Sequence, residues 1–156
     1  MICPDIETLR NATPYGALMG LDLGEKTIGI AVSDTLRSVG TPLQTLKRTK
    51  FRANSKELLE IAADRQISGI ILGLPLNMDG SEGPRCQSTR AFVRNLEALT
   101  DIPISFWDER LSTVAAERAL LEADTSRARR AEVIDNVAAG YILQGVLDRL
   151  GYLARG

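Results

Sequence analysis

The stretch ALMGLDLGEKTIGIAVSD, from Ala17 to Asp34, decides the fold of this chain. ALMGLDL is apolar apart from Asp22, GEK makes a turn, and TIGIAVSD is rich in the β-branched residues that favour strands. The pattern predicts consecutive strands, the first of them buried on both faces. Burying an uncompensated carboxylate costs several kcal/mol. We therefore expect Asp22 to meet a bound cation, an arginine or hydrogen-bond donors.

The middle of the chain completes an α/β pattern. GTPLQTLKR predicts a third, shorter strand, and the first three strands are expected to form an antiparallel meander, because a parallel crossover needs about a dozen residues. A helix follows, with Asn54 and Glu57 as a capping-box-like start. SGIILGLP predicts a central strand, the next helix runs to about Leu99, and IPISFWDE predicts a fifth strand. The order β-β-β-α-β-α-β-α-α predicts one mixed sheet with helices on its faces.

The two ends of the chain carry weaker patterns. Residues 1–16 are polar and end in NATPYG, which predicts a loose extension with a short helix, and residues 17–151 are expected to form a single domain. After the fifth strand, STVAAERALLEA predicts a helix, and DTSRARR, which lacks periodicity, is expected to be mobile. The last helix is predicted from about Ala131 to Leu150, with Gly151 ending it.

The composition excludes several classes of chemistry. The chain has no histidine, so a Ser-His-Asp or Cys-His centre and a histidine general base are ruled out. Zinc is disfavoured, because its usual ligands are cysteine and histidine and the chain has only Cys3 and Cys86. Any metal must then be held by oxygen atoms, which favours Mg²⁺ or Mn²⁺.

The same composition bears on location. With 44% hydrophobic and 25% charged residues, the chain has the make-up of an ordinary soluble globular protein. Met1 to Arg10 lacks the layout of a signal peptide, and no apolar run approaches the roughly 20 residues that cross a bilayer. Two cysteines are too few for a disulfide framework. We therefore expect a cytoplasmic protein with no membrane partner.

Acidic residues are predicted to converge at one edge of the sheet. Sites in open α/β sheets gather at the carboxyl ends of strands, where Asp22 lies on the first strand and Asp108 and Glu109 on the fifth. Asp135, on the last helix, shares a face with small alanines that permit close packing. Acids brought together raise one another's pKa unless a cation lies between them. Two divalent ions about 3.5–4 Å apart support phosphodiester cleavage without histidine.

Each acid also has a purely structural explanation. Asp22 can begin the turn after the first strand. Asp108 and Glu109, which precede Arg110, can form a local ion pair at a strand end. Asp135 can act as a cap or pair with neighbouring arginines. The catalytic interpretation is favoured because the predicted topology places all of these acids near one edge.

Motifs at these positions resemble one family. LDLGEKTIGIAVSD, GIILGLPLNMDGSEG, WDERLST and VIDNVAAGYILQ together are similar to the YqgF/RuvX family, whose members are described as pre-16S rRNA nucleases related to Holliday-junction resolvases. The similarity covers about Leu18 to Leu150. It implies a ribonuclease-H-like fold, with a five-stranded mixed sheet whose first three strands are antiparallel. It also implies divalent-metal hydrolysis of phosphodiester bonds and a part in maturing the 5′ end of 16S rRNA.

Carried across by motif, the resemblance implies that Asp22, Glu109 and Asp135 are the catalytic acids and the ligands of Mg²⁺ or Mn²⁺. Asp108 is the less favoured substitute for Glu109. Before the helix acid, SRARRAEVID is rich in arginine where some relatives carry more lysine, and Glu132 adds negative charge there. The N-terminal extension lies outside the core of the family and is assigned no role.

Basic side chains supply candidate contacts to nucleic-acid phosphates. Lys26 follows the first strand and Arg110 follows the fifth, although Arg110 is expected first of all to pair with Asp108. Three arginines before the last helix would attract the backbone without regard to sequence. They are Arg127, Arg129 and Arg130.

Other features bear on how a substrate would be recognised. The NMDGSEG loop offers backbone N–H groups at the start of a helix, which is a ready anion site. Two further basic clusters, around residues 47–52 and 85–94, are most simply solvated surface. Aromatic residues, which stack on single-stranded bases, make up only 4% of the chain, so recognition of duplex shape is favoured over base-by-base reading.

Three other functions fit parts of the sequence. A kinase or actin-like ATPase also uses a D-x-G turn, but it needs two such domains, which 156 residues do not readily supply. A Holliday-junction-resolving endodeoxyribonuclease would share the metal site and act as a symmetric dimer. A non-catalytic RNA-binding assembly factor would use its acids only to hold a structural ion. The expected partners are pre-rRNA or another structured nucleic acid and ribosomal precursor particles, for a chain that is a monomer or a weak homodimer.

Overall fold

The computed structural model describes residues 1–111 and 127–155, and it describes the side chains of the last helix from Val137 onward. The elements are α1 (Ile6–Ala12), β1 (Ala17–Leu23), β2 (Thr27–Ser33), β3 (Gly40–Lys47), α2 (Phe51–Asp64), β4 (Ile67–Leu74), α3 (Pro84–Glu97), β5 (Ile104–Asp108) and α4 (Arg127–Arg155). The strands form one five-stranded sheet in the order β3-β2-β1-β4-β5. β1, β2 and β3 are antiparallel, whereas β4 and β5 run parallel to β1. The predicted mixed α/β sheet is confirmed.

Helices cover both faces of the sheet. Because side chains alternate along a strand, Met19 and Leu21 of β1 enter the core beneath α2 and α3, while Leu18 joins the core beneath α1 and α4. Gly20 also faces α4, since a Cβ placed on it would stand 2.9 Å from Leu143 Cβ. Even-numbered positions of β1 therefore face α4.

Small residues let α4 lie directly on the sheet. A Cβ on Gly140 would come within 3.0 Å of Pro42 Cγ in β3, so no larger residue fits there without movement. Ala138, Ala139 and Ile142 are 3%, 0% and 0% exposed, which confirms the predicted buried face of this helix. The helix backbone is thus held close to the strands that carry the candidate acids.

Two helix ends differ from the sequence expectation. Asn54 is not a cap, because α2 begins earlier, at Phe51. Its buried amide instead accepts a hydrogen bond from the Thr49 N–H (2.8 Å) and donates one to the Lys47 carbonyl (3.0 Å), which fixes the chain that enters the helix. α3 ends at Glu97 rather than near Leu99, and the Leu99 side chain is 55% exposed.

The last helix is longer than predicted. It begins at Arg127, so the end of the segment expected to be mobile is helical, and it continues through Gly151 to Arg155. A glycine inside a helix costs only about 1 kcal/mol, which a long packed helix tolerates. The predicted helix STVAAERALLEA lies outside the described residues.

The N-terminal segment is not loose. Ile6 and Leu9 of α1 are buried in the core beneath α4, and Asp5 caps the helix by accepting a hydrogen bond from the Thr8 N–H at 2.8 Å. Ile2 forms a parallel bridge with Ile104 at the outer side of β5. The short helix expected in residues 1–16 is present as α1, but the segment is packed rather than loose, which the sequence did not reveal because its few buried apolar positions are spread through a polar stretch.

Both outer strands of the sheet have a feature that limits further pairing. At β5, the Cys3 N–H donates to the Ile104 carbonyl (2.7 Å) and the Ile104 N–H donates to the Met1 carbonyl (2.9 Å). At the other side, β3 contains Pro42, which has no N–H to offer. Within the ranges that the structure describes, none of the helices combines the length and the apolar content needed to cross a membrane.

Candidate active site

Asp22 lies near the end of the central strand and is 2% exposed. Its Cα partner on β2 is Gly29, which leaves the neighbouring strand without a side chain at this level. By the alternation along β1, Asp22 belongs to the face covered by α4, and the next residue, Leu23, belongs to the opposite core. The buried carboxylate that the sequence predicted is therefore present, at the sheet edge where sites of this fold class gather.

The two acids at the end of β5 have different surroundings. Both carboxylate oxygens of Asp108 accept hydrogen bonds from Arg110 Nε at 3.1 Å, and Oδ2 also accepts one from Nη2 at 2.7 Å. These hydrogen bonds hold the pKa of Asp108 below its usual range. The expected local pair of Asp108 and Arg110 is thus confirmed.

Glu109, by contrast, reaches over β4. It opens a short 3-10 turn, and its Oε1 lies 3.1 Å from where a Cβ on Gly73 would stand, while Ile142 Cδ1 of α4 lies 2.5 Å from the same point. Gly73 follows Leu72, which pairs with Leu21, so Gly73 is level with Asp22 on the neighbouring strand. Adjacent strands are about 4.8 Å apart. Asp22 and Glu109 therefore share the α4 face of the sheet, near Gly73.

The path of α4 across the sheet can be followed from its contacts with β3. Gly140 lies against Pro42, and Gln144, one helical turn later, accepts a hydrogen bond from the Gly40 N–H at 2.9 Å. One turn of α4 thus corresponds to two residues of strand. The lengths agree, because four helical residues rise about 6 Å and two strand residues about 6.6 Å.

The same correspondence, one turn of α4 for two residues of strand, locates the helix backbone near position 135. The carbonyl oxygen of Ala139 lies 3.2 Å from where a Cβ on Gly20 would stand. One turn back along α4 is position 135, and two residues further along β1 is Asp22. Leu143 Cβ lies 2.9 Å from the same Cβ position, so Gly20 faces the turn of α4 between positions 139 and 143, and Asp22 faces the turn between positions 135 and 139. The side chain of Asp135 itself lies outside the described residues.

Among the side chains that the structure describes, no group of three or more histidine, cysteine, aspartate or glutamate residues is placed to hold a metal ion. The set predicted from the sequence includes Asp135, whose side chain is not among them. The structure brings Asp22 and Glu109 to one face.

The basic residues that were predicted to contact nucleic acid lie in different surroundings. Lys26 is exposed in the turn between β1 and β2, at the same edge as Asp22. Arg110 is exposed but committed to Asp108, and its Nη1 also donates to the Met78 carbonyl at 3.3 Å. The other three arginines belong to the first turn of α4, and their side chains lie outside the described residues. They are Arg127, Arg129 and Arg130.

The NMDGSEG loop uses its own N–H groups. The Asn77 N–H donates to the Ser81 carbonyl (3.0 Å), and the Gly80 N–H donates to the Asn77 carbonyl (2.8 Å). Asp79 accepts hydrogen bonds from the Ser81 hydroxyl and N–H, which lower the pKa of that carboxyl group. These three N–H groups are therefore not available for the anion site that the sequence suggested.

The sequence matches a known protein family. A family model described as RuvX, Holliday junction resolvase, matches residues 16–149, which is most of the chain. The chain belongs to the RuvX family. The predicted family is thereby confirmed, and the matched range includes Asp22, Glu109 and Asp135.

Relatives within this family are closely similar. A protein of Paracoccus denitrificans (strain Pd 1222) is 69% identical over 156 residues, which cover 99% of each chain. A protein of Ruegeria sp. (strain TM1040) is 73% identical over 154 residues, which cover 98% of each. Both carry the name "Putative pre-16S rRNA nuclease".

Solved structures show the fold of this RuvX chain. RuvC of T. thermophilus, in complex with a Holliday junction substrate, is 12% identical and matches with a TM-score of 0.54 over 87% of this chain and 96% of that one. A second structure of Thermus thermophilus RuvC gives a TM-score of 0.52. The fold is therefore that of RuvC-like resolvases, which confirms the ribonuclease-H-like architecture that the motifs implied.

Two arginines at the end of the strand that carries Asp22 in this RuvX chain were not singled out from the sequence. Arg48, at the end of β3, donates from Nη1 to the Gly24 carbonyl at 2.7 Å. Arg85, in the first turn of α3, donates from Nη2 to the Leu23 carbonyl at 3.3 Å. Both belong to basic clusters that are visible in the sequence, but only the fold brings them together at the end of β1.

Proposed function

We propose that this chain is a divalent-metal-dependent nuclease that hydrolyses phosphodiester bonds while the 5′ end of pre-16S rRNA is processed. The observation that carries the proposal is the placement of Asp22 and Glu109 on one face of the sheet, level with Gly73 and beneath α4. The names of the relatives that are about 70% identical support the RNA substrate.

The available donors fit a hard divalent cation. Asp22 offers a buried carboxylate, Glu109 offers another from the neighbouring turn, and the chain has no histidine. Oxygen-only sites suit Mg²⁺ or Mn²⁺. The residues that would hold the metal are Asp22, Glu109 and Asp135. When bound, paired divalent ions activate a water molecule and stabilise the leaving oxygen of the phosphodiester.

The protein's contribution is to hold these acids in place. Asp22 sits on the central strand, which is hydrogen-bonded on both sides, so its carboxylate needs little reorganisation. The absence of a side chain at Gly73 leaves room for Glu109. The Asp108–Arg110 pair fixes the end of β5 next to the turn that carries Glu109, so Asp108 acts as a positioning residue in this proposal.

The substrate is proposed to be structured RNA within ribosomal precursor particles in the cytoplasm. Lys26 at the rim would attract the phosphate backbone, and so would the arginines at the start of α4, which are Arg127, Arg129 and Arg130. Arg110 would add to this attraction only with the part of its guanidinium that Asp108 leaves open. A monomer or a weak homodimer is the expected state.

The direct test is Asp22→Asn, which keeps the shape of the side chain and removes its charge. The purified protein is incubated with a pre-16S rRNA fragment, with and without Mg²⁺ or Mn²⁺. Loss of a direct ligand should exceed the 10–100-fold effect typical of outer-shell partners, so we expect cleavage to fall by more than about 100-fold.

The matched control is Asp64→Asn at the exposed end of α2. This variant should cleave like the natural sequence. Circular dichroism and urea unfolding check that Asp22→Asn remains folded. Wild-type cleavage by a folded Asp22→Asn protein would show that the acid site has been misassigned.

A four-way DNA junction is the second candidate substrate. The family model is described as a Holliday junction resolvase, which favours including this substrate in the same assay. A resolvase must cut two strands symmetrically, so cleavage of the junction together with a dimer in solution would favour this function. Binding of RNA without cleavage of either substrate would favour an assembly factor instead.

A further inference from the structure

A groove opens at the end of β1, on the side of the sheet that carries α2 and α3. It is lined by the turn Leu23 to Glu25, by Arg48 from the end of β3, and by Arg85 and Ser88 from α3. A second depression shares Arg48 and Ser88 and continues between α2 and α3. The two depressions meet at Arg48 and Ser88, and together they extend from the strand end that bears Asp22 toward the space between α2 and α3.

Both arginines in this groove are held by neutral acceptors. Arg48 donates from Nη1 to the Gly24 carbonyl (2.7 Å) and from Nη2 to the Ser88 hydroxyl (3.1 Å), and its backbone N–H donates to the Lys26 carbonyl (2.8 Å). Arg85 donates from Nη2 to the Leu23 carbonyl at 3.3 Å. Their head groups are therefore oriented without being neutralised.

The groove keeps its positive charge among the residues that the structure describes. Within residues 1–111 and 137–155, neither arginine forms an ion pair with a carboxylate. Glu25 is the one carboxylate that lines the described part of the groove, and it is exposed. A guanidinium carries five N–H donors, so several remain for an anion with the geometry of a phosphate.

We propose that Arg48 and Arg85 bind a backbone phosphate next to the phosphodiester that is cut, and that the groove guides the strand away from the acids. The proposal rests on the nuclease function proposed above. Arg85 contacts the carbonyl of Leu23, the residue directly after Asp22. Successive strand residues point to opposite faces, so the arginines and the acid lie on the two sides of one strand end.

Residues further along the groove suit a nucleic-acid strand. Phe51 and Asn95 line its continuation between α2 and α3, and they offer an aromatic surface and an amide. Lys50 and Arg52, on either side of Phe51 in the sequence, are exposed. Two further cations therefore lie in the segment that contributes Phe51 to the groove.

The alternative is that Arg48 and Arg85 only brace the β1–β2 turn. The two roles predict different measurements. A residue that only braces the turn contributes to the free energy of unfolding. An arginine that binds a phosphate instead contributes about 0.7–0.9 to the magnitude of the slope of log K for RNA binding against log [KCl]. Binding is therefore measured without divalent metal, so that no cleavage occurs, using fluorescein-labelled duplex RNA over a series of KCl concentrations.

The variants are Arg85→Ala and Arg48→Ala, with Arg94→Ala as the matched control. Arg94 is an exposed arginine of the same helix, half a turn around the axis from Arg85. We expect the magnitude of the slope of log K against log [KCl] to fall by about 0.7–0.9 in each groove variant and to stay unchanged in the control. Arg85 is exposed, so its variant should fold even if Arg48→Ala does not.

Cleavage of the pre-16S rRNA fragment is then measured with Mg²⁺. Loss of an interaction made equally in the ground state and the transition state raises KM and leaves kcat unchanged, which is the result expected for Arg85→Ala. Wild-type salt slopes in both folded groove variants would overturn the proposal, whatever the cleavage results. Reduced slopes in a protein that cleaves nothing would support the groove while refuting the nuclease function.

Discussion

At the end of β5, two neighbouring carboxylates point to opposite faces of the sheet. Asp108 is bound by Arg110, and Glu109 reaches over Gly73 toward α4. The motif favoured Glu109 with Asp108 as the less favoured substitute, but the sequence did not show where the strand stops and the 3-10 turn begins. Trp107 belongs to the core beneath α4, so by alternation Asp108 points to the other side of the sheet. The ion pair that Asp108 forms follows from that direction.

The pair of Asp108 and Arg110 gives a prediction with a definite sign in pH. Arg110 lowers the folded-state pKa of Asp108, so the pair stabilises the fold fully above the unfolded value of about 3.9 and loses this effect as pH falls through the lower folded value. In Arg110→Gln, the pKa of Asp108 should rise toward its ordinary value. Titration of the carboxyl carbon by NMR measures this change.

The difference in the free energy of unfolding between Arg110→Gln and the natural sequence should depend on pH in the same way. Urea unfolding should show Arg110→Gln to be less stable than the natural sequence at neutral pH, and the difference should disappear in strong acid. Arg94→Gln, which alters an exposed arginine of α3, serves as the control and should leave the pKa of Asp108 unchanged. An unshifted Asp108 in Arg110→Gln would mean that the pair does not persist in solution.

Single residues were predictable when they broke a local pattern. Asp22 stood out because a carboxylate interrupts an apolar strand, and the structure buries it. Arg48 and Arg85 broke no pattern, since arginines in polar stretches of a sequence are ordinary. Their common position at the end of β1 depends on contacts between β3, α3 and the β1–β2 turn, which distant parts of the sequence do not reveal.

At the level of elements, the strands were predicted better than the helix ends. β1 runs from Ala17 to Leu23 as expected, because an apolar run followed by a turn has few alternatives. The predicted end of α4 was wrong because Gly151 was expected to end the helix, although a glycine in a packed helix need not do so. The predicted start of α2 was wrong because Asn54 forms hydrogen bonds with the chain that enters the helix and does not cap the helix.

The spacing between α4 and β4 leads to a second prediction. In Gly73→Ala, the new Cβ would stand 2.5 Å from Ile142 Cδ1 and 3.1 Å from Glu109 Oε1, so both neighbours must move. Overpacking of this kind costs about 1–3 kcal/mol in the free energy of unfolding. Cleavage of the rRNA fragment should also fall, because Glu109 is displaced. Urea unfolding and the cleavage rate measure the two effects.

A suitable control for this prediction is Gly83→Ala. A Cβ at Gly83 would meet Asn77 at 3.8 Å, which is an ordinary contact, and its backbone has a φ of −94°. Because Gly83 is the N-cap of α3, where alanine is less favourable than glycine, this variant should lose some stability but cleave like the natural sequence. If Gly73→Ala cleaved normally despite a loss of stability, the position of Glu109 would not matter for the reaction.

On the scale of the whole molecule, the order of elements was sufficient to predict a mixed sheet with helices on both faces. Four motifs in series then identified the family, which the family model confirms. The packing of the first residues was missed. Ile6 and Leu9 are buried beside α4, but nothing in a short polar stretch indicates which distant surface it will cover.

The buried N-terminal segment leads to a third prediction. Leu9 is completely buried, so Leu9→Ala should lower the free energy of unfolding by about 2–5 kcal/mol. Leu36→Ala removes the same atoms from a side chain that is 85% exposed, and its effect should stay within about 0.5 kcal/mol. Urea denaturation compares the two variants. Equal stabilities would mean that α1 does not contribute to the core.

The two outer strands also bear on how the protein behaves at high concentration. An open strand offers a row of unpaired backbone groups to which another copy can add. Here Pro42 withholds a donor on one side, and the chain start occupies the N–H and carbonyl of Ile104 on the other. Strand-upon-strand growth into fibrils therefore finds no ready template at these two positions of the five-stranded sheet that the described residues form.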